Sequence, residues 1–270
     1  MDKVMAYYNK FDEWGRLDRE PLEFLVNWHY MRKYLPQSGH VLDNGAGPGK
    51  YAMELARAGY NVTLTDYTPR LVEVAREKAQ ELDLFDQFQG FAAADARDLG
   101  EFPDNEFDSA LMLGPLYHLQ EEVDRVKAVQ ELHRVTKQEG IVFVAFMTRI
   151  KFLTTSLMFP EHWKPHNHVD NIESFLEKGT FNHADEGRFT GAYYFAIEDI
   201  KPFMESCGFE TLNLISSSSV AGAMQPEQFD YWRDRGGEEY NRMMELVYKA
   251  AADPSILGVG SHLLYIGKRK

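Results

Sequence analysis

Cysteine is nearly absent from this chain of 270 residues: Cys207 stands alone. One thiol excludes an intramolecular disulfide and any cysteine-rich metal site. It fits a reducing compartment, so the expected location is cytoplasmic. Beside Gly208 and Phe209, near the end of a predicted helix, Cys207 reads as a small core residue rather than a nucleophile. Long apolar runs are missing too. No stretch approaches the roughly 20 apolar residues that cross a bilayer, and the N-terminal MDKVMAYYNKFDEWGRL lacks the apolar centre of a signal peptide. Positive charge is scarce: 29 Lys and Arg against 42 Asp and Glu give a formal net charge of -13. The densest basic run, Lys268-Arg269-Lys270, sits at the very end. Such a surface repels phosphate backbones and anionic lipid, so neither nucleic acid nor membrane is an expected partner.

Aromatic residues are plentiful, with 18 Phe and 14 Tyr, enough for a sizeable core. A helical pattern runs from Pro21 to before Pro36. From His40 onward, short apolar segments alternate with amphipathic ones. Strands are expected at VLD (41–43), 61–66, within 88–95, at 107–114 and at 141–147. Helices are expected at 50–58, 69–82 and 121–136, each with its apolar residues on one stripe. This alternation predicts a Rossmann-like, mostly parallel α/β sheet with helices on both faces. Residues 148–190 break the pattern and read as a helical and aromatic lid insertion over the active face. Helix and strand signals resume at 197–207 and 209–216, followed by a helical stretch over 226–252 and a last strand in SHLLYIGK. The expected organisation is a cap at 1–36, a ligand-binding core at 37–147, the lid at 148–190 and the rest of the sheet at 191–270.

The stretch HVLDNGAGPGKYAMELA, residues 40–56, carries three glycines between a strand and a helix. Glycines permit positive φ and close backbone approach, and the helix after them presents free N–H groups. A Walker loop ends in Gly-Lys-Ser/Thr, but here Gly49-Lys50 is followed by Tyr51. A dinucleotide loop needs a third Gly or Ala where this chain has Lys50. The spacing present is Asp43, then Gly45-x-Gly47-x-Gly49. Asp66 ends the second predicted strand with Tyr67 beside it, Asp95-Ala96 follows the third, and LMLGPLYHL (111–119) follows the fourth. Singly, Asp66 and Asp95 read as helix caps or turn residues.

In this order the motifs resemble the class I S-adenosylmethionine-dependent methyltransferases. The resemblance covers about 37–147 and, more weakly, the C-terminal strands, and it implies seven strands with the last antiparallel. It implies S-adenosyl-L-methionine as cofactor, bound by Asp43, Gly45, Gly47, Gly49, Asp66, Tyr67, Asp95, Ala96 and Leu113. In this scheme the loop wraps the methionine part and the ribose, and Asp66 accepts from the ribose hydroxyls. Tyr67 lies against the adenine, and Asp95 takes the adenine amino group beside the Ala96 backbone. Leu113 lies in the segment nearest the methyl. Asn44 and the turn QEG (138–140) depart from the family pattern without removing a contact. Segments GPLYHL and ILGVGSHLLYIGKR resemble a bacterial small-molecule group related to quinone-biosynthesis C-methyltransferases.

His118, next to Tyr117 and past the fourth strand, is the candidate general base; the competing reading is a histidine packed under the loop. Tyr117 either positions a substrate hydroxyl or packs. The N-terminal segment offers Tyr7, Tyr8 and Arg16 as an arm over the cofactor, with Arg16 set against the methionine carboxylate or simply solvated. His162, His166, His168 and His183 have spacings that can bind metal, but a lid lined by Phe152, Phe159, Trp163, Phe175 and Phe181 is the preferred reading, so no metal is expected. Trp232 and Tyr231 are further candidates for that lining. The partner is a small, apolar or aromatic molecule, oligomeric state being open. The alternatives are methylation of tRNA or protein, and a non-catalytic S-adenosylmethionine-binding protein.

Overall fold

A computed structural model describes residues 3–9, 14–15, 21–185 and 191–270. Two helices, α1 (Lys3–Tyr8) and α2 (Pro21–Tyr34), come first, and the alternation follows. It runs β1 (His40–Asn44), α3 (Lys50–Arg57), β2 (Asn61–Asp66), α4 (Pro69–Glu81), β3 (Phe88–Ala93) and β4 (Phe107–Met112). Next are a single turn, α5 (Pro115–His118), then α6 (Glu122–Val135) and β5 (Thr136–Met147). The segment expected as an insertion, 148–190, contains α7 (Arg149–Met158), α8 (Val169–Lys178) and β6 (Thr180–Phe181), which pairs with β7 (Ala192–Tyr193) just past it. The chain closes with α9 (Ile197–Ser206), β8 (Phe209–Ser216), α10 (Pro226–Asp234), α11 (Gly237–Ala251) and β9 (His262–Arg269).

Seven strands form one sheet in the order β3-β2-β1-β4-β5-β9-β8. Pairings from β3 to β5 are parallel, and β9 runs antiparallel to both its neighbours. The seven-stranded, Rossmann-like expectation therefore holds, with the last strand antiparallel. Strands buried on both faces explain the near-continuous apolar runs. Helices α2, α3, α4 and α11 cover one face, where Val26, Met31, Leu55, Val72 and Val247 are buried. The other face is covered by α6 and α9 through Val129, Leu132, Ile200 and Met204. The strand order reverses between β1 and β4, so a crevice opens at their carboxyl ends, the usual ligand position in open α/β sheets.

Three differences from the expected elements have local causes. Strand β5 begins at Thr136 rather than 141, because Thr136 pairs with Phe107 before a bulge that carries QEG outward, with Glu139 at φ 62°. The helical stretch 226–252 is two helices, interrupted at Gly236 with φ 103°. The insertion is helical as expected, and resolves into two ten-residue helices whose bounds the sequence reading did not give. Their apolar residues face a private core: Phe152, Phe175, Phe181 and Tyr194 are buried together, with Trp163 packed against them. Phe152 stacks on Tyr194 with ring centroids 4.4 Å apart. Buried His166 bonds Ser156 Oγ through Nδ1 at 2.8 Å. Among the described residues no cluster of three or more His, Cys, Asp or Glu side chains can hold a metal ion. No described helix is long and apolar enough to cross a membrane.

Candidate functional site

The glycine loop is built by short-range bonds. Gly45 and Ala46 both donate their N–H to Thr65 O, at 2.8 and 3.0 Å, tying the loop to β2. Gly45 has φ 71°, and a Cβ there would lie 2.2 Å from Pro115 Cγ, so only glycine lets the loop pass under α5. Gly47 N–H donates to Asp66 Oδ2 at 2.8 Å, and Thr68 N–H to Asp66 Oδ1 at 2.7 Å. The loop and the β2 acid are thus one unit. Gly49 is buried behind it; a Cβ would lie 2.8 Å from Leu64 Cδ1, so it seats α3 on the sheet rather than facing the crevice.

A cavity of roughly 390 Å³ opens above this loop. The structure brings Asp43, Gly45, Gly47, Asp66, Tyr67, Asp95, Ala96, Leu113, Tyr117 and His118 together in its wall. Gly49 is not in the wall, and Arg16 lies outside the described residues. The aromatic residues of the insertion line neither this cavity nor the second one described below; Phe152, Trp163, Phe175 and Phe181 pack on one another instead, and Phe159 is exposed. Trp232 packs against the main core, and Tyr231 is exposed.

The wall is acidic. Glu23, Asp43, Asp66, Asp95, Glu121 and Asp124 face Lys50 and Arg97 as its basic members. Burial pushes the Asp43 carboxyl up to about 7; the Ala52 N–H opposes this and the Asp66 charge adds to it. Asp43 Oδ2 and Asn44 Nδ2 are buried with no hydrogen-bond partner, one an acceptor and one a donor. Asp95 is clamped by Arg97, whose Nη2 reaches Oδ2 at 2.6 Å and whose Nη1 reaches Asp124 Oδ2 at 2.9 Å. Burial alone would raise Asp95, but the Arg97 bonds outweigh it and hold the carboxyl below its ordinary value.

At the other end of the cavity, chain segments far apart in sequence converge. Tyr8 Oη and His118 Nε2 are 3.1 Å apart. Tyr117 is buried, and its ring centroid lies 5.6 Å from that of His262, the first residue of β9. His262 Nδ1 donates to Glu23 Oε2 at 2.9 Å. Sequence reading missed Glu23, His262, Arg97 and Lys50. Arg97 had a local signal, a basic residue two positions after the β3 acid. Glu23 and His262 had none, because their meeting depends on α2 crossing the end of β9.

Comparison with known proteins fits this geometry. Residues 42–144 match a protein-family model described as a methyltransferase domain. The chain is 32% identical over 117 residues to the ubiquinone/menaquinone biosynthesis C-methyltransferase UbiE of Citrifermentans bemidjiense, covering 41% of this chain and 47% of the relative. It is 29% identical over 136 residues to the glycine/sarcosine N-methyltransferase of Aphanothece halophytica, covering 46% and 50%. The chain thus spans about half the length of these curated relatives. Among solved structures, Burkholderia thailandensis 1,6-didemethyltoxoflavin-N1-methyltransferase, with bound 1,6-didemethyltoxoflavin and S-adenosylhomocysteine, superposes with a TM-score of 0.57 at 14% identity. That match covers 99% of this chain and 85% of the other, and it concerns the fold. The likeness to a methyltransferase domain covers residues 42–144, the segment that runs from β1 into β5 and holds the glycine loop.

Proposed function

We propose that the protein moves the methyl group of S-adenosyl-L-methionine to a small, apolar or aromatic molecule. The observation that carries this reading is the acidic wall around the glycine loop, in which six carboxylates outnumber Lys50 and Arg97. A sulfonium cation gains in such a field, whereas a pyrophosphate would be repelled. Unpartnered Asp43 Oδ2 and Asn44 Nδ2 fit a ligand that brings both a donor and an acceptor to the loop.

In this reading Asp66 keeps its two backbone bonds and accepts from the ribose hydroxyls as well, a carboxylate having about four lone-pair sites. Tyr67, exposed at the rim, lies against the adenine. Asp95 and Ala96 hold the adenine edge, and the amino group competes with Arg97 for the same carboxylate. Leu113 and the α5 turn flank the methyl. The cofactor supplies an activated methyl on a neutral leaving group. Catalysis then rests on alignment and exclusion of water, with His118 taking a proton where the acceptor has one to lose. Tyr117 holds the acceptor, and Tyr8 closes over His118.

Methylation of a macromolecule is the rival reading, and net charge disfavours RNA. The test uses labelled S-adenosylmethionine with the small-molecule, RNA and protein fractions of a cell extract. Label is expected in the small-molecule fraction; label in RNA or protein instead overturns the substrate class.

A further inference from the structure

A second cavity, roughly 450 Å³, shares the Glu23 side of its wall with the first. Small-molecule sites typically occupy about 300–1,000 Å³. It lies between the first turn of α2, the 3-10 turn Ser219–Ala223, the start of α10 and Tyr240 of α11. Glu23 is in the wall of both cavities. Leu22, Leu25, Met224 and Phe229 give the second cavity an apolar body. Its charged members differ in how they are held. Arg233 is paired with Asp230 at 2.7 Å. Lys151 has no acidic side chain within ion-pair distance among the described residues. The Glu23 carboxylate is anchored by His262 Nδ1 at 2.9 Å.

We propose that this second cavity binds the methyl acceptor. Its occupant has an apolar body of ring size, a hydroxyl that donates to Glu23 at the junction of the cavities, and an anionic group that meets Lys151. The assignment rests on the methyltransferase reading of the first cavity and adds the place and chemistry of the second ligand. The apolar lining takes the body of the molecule out of water. Glu23 fixes which end faces the first cavity, because a carboxylate accepts from a hydroxyl and repels an anion. Lys151 attracts the opposite end, so the molecule enters in one orientation. His262 is a positioning residue, holding Glu23 at the junction.

The probe is 4-hydroxyphenylacetate, titrated into the full chain saturated with S-adenosylhomocysteine and followed by saturation-transfer NMR. Phenylacetate lacks the hydroxyl and 4-methylphenol lacks the carboxylate. The parent probe is expected to bind about tenfold tighter than either, the worth of a hydrogen bond to a charged group. Lys151→Met removes the preference over 4-methylphenol, and Glu23→Ala removes the preference over phenylacetate. Phe229→Ala weakens all three. S-adenosylhomocysteine affinity stays unchanged in Lys151→Met and Phe229→Ala. Absence of binding to the saturated protein, or binding indifferent to Lys151 and Phe229, overturns the proposal. Failure of S-adenosylhomocysteine itself to bind overturns the underlying methyltransferase reading instead, so the two failures are distinguishable.

Discussion

The Asp66 carboxylate accepts the Gly47 N–H at 2.8 Å, so the acid at the end of β2 also shapes the glycine loop. One side chain thereby preorganises the loop and faces the cavity. Asp66→Ala removes both contributions. Hydrogen bonds to charged groups are worth about 1.5–3 kcal/mol, so S-adenosylmethionine affinity is expected to fall roughly 10- to 100-fold. Asp66→Asn retains an acceptor for one N–H and loses less. Calorimetric titration of the two variants checks this, and unchanged affinity in Asp66→Ala contradicts the ribose assignment.

Gly45 gives a second, structural prediction. A Cβ at this position would meet the Pro115 ring at 2.2 and 2.4 Å, on a backbone with φ 71°. Gly59 also has positive φ, 91°, but faces open space. Gly59→Ala should cost only the left-handed strain, about 1–2 kcal/mol. Gly45→Ala adds overpacking of about 1–3 kcal/mol and pushes α5 away from the loop. Thermal unfolding should separate the two variants by several degrees, and cofactor affinity should fall in Gly45→Ala alone.

Asp43 makes stability depend on pH in an uncommon direction. Burial raises its folded-state value to about 7 from an ordinary 3.8. Between those values the native state holds a proton that the unfolded chain has released. The contribution is fully present below about 4 and is lost as pH rises through about 7, with a slope of at most about 1.4 kcal/mol per pH unit. Asp95, held below its ordinary value, has the opposite sign, so the comparison must be with a variant. Denaturant unfolding of cofactor-free protein should show a more negative pH slope for wild type than for Asp43→Asn. Parallel slopes would contradict it.

His118 has Tyr8 Oη at 3.1 Å from Nε2 and stands in the cavity wall beside Tyr117. As general base it should contribute about 10²–10⁴ in rate and little in binding. His118→Gln is therefore expected to lower kcat by at least tenfold while leaving cofactor affinity within threefold. An equal loss in both would assign it to packing under the loop.

How much of this was legible in the sequence follows from the range of each interaction. The β1–loop–α3 unit is local, and glycine spacing, Asp43 and Asp66 all carry their own signal. The number of strands and the antiparallel β9 followed from the resemblance, whereas the strand order is seen only in the structure. The insertion was legible as helical and aromatic, but the bounds of α7 and α8 were not, since Phe152, Phe175 and Phe181 bury themselves in a small core of their own. The same rings looked like a lid lining until their mutual packing was seen. The resemblance assigns Gly49 to the cofactor; in the structure a Cβ there would meet Leu64 of β2, and Gly49 is not in the cavity wall. Glu23 and His262 are 239 residues apart, and nothing local in either segment announces the other.

The most direct test of the account is calorimetric titration of the purified protein with S-adenosylmethionine, and separately with NADH. The acidic wall around Asp43, Asp66 and Asp95 predicts saturable binding of S-adenosylmethionine at one site and no binding of NADH. Saturable binding of NADH, or none of S-adenosylmethionine, would contradict it.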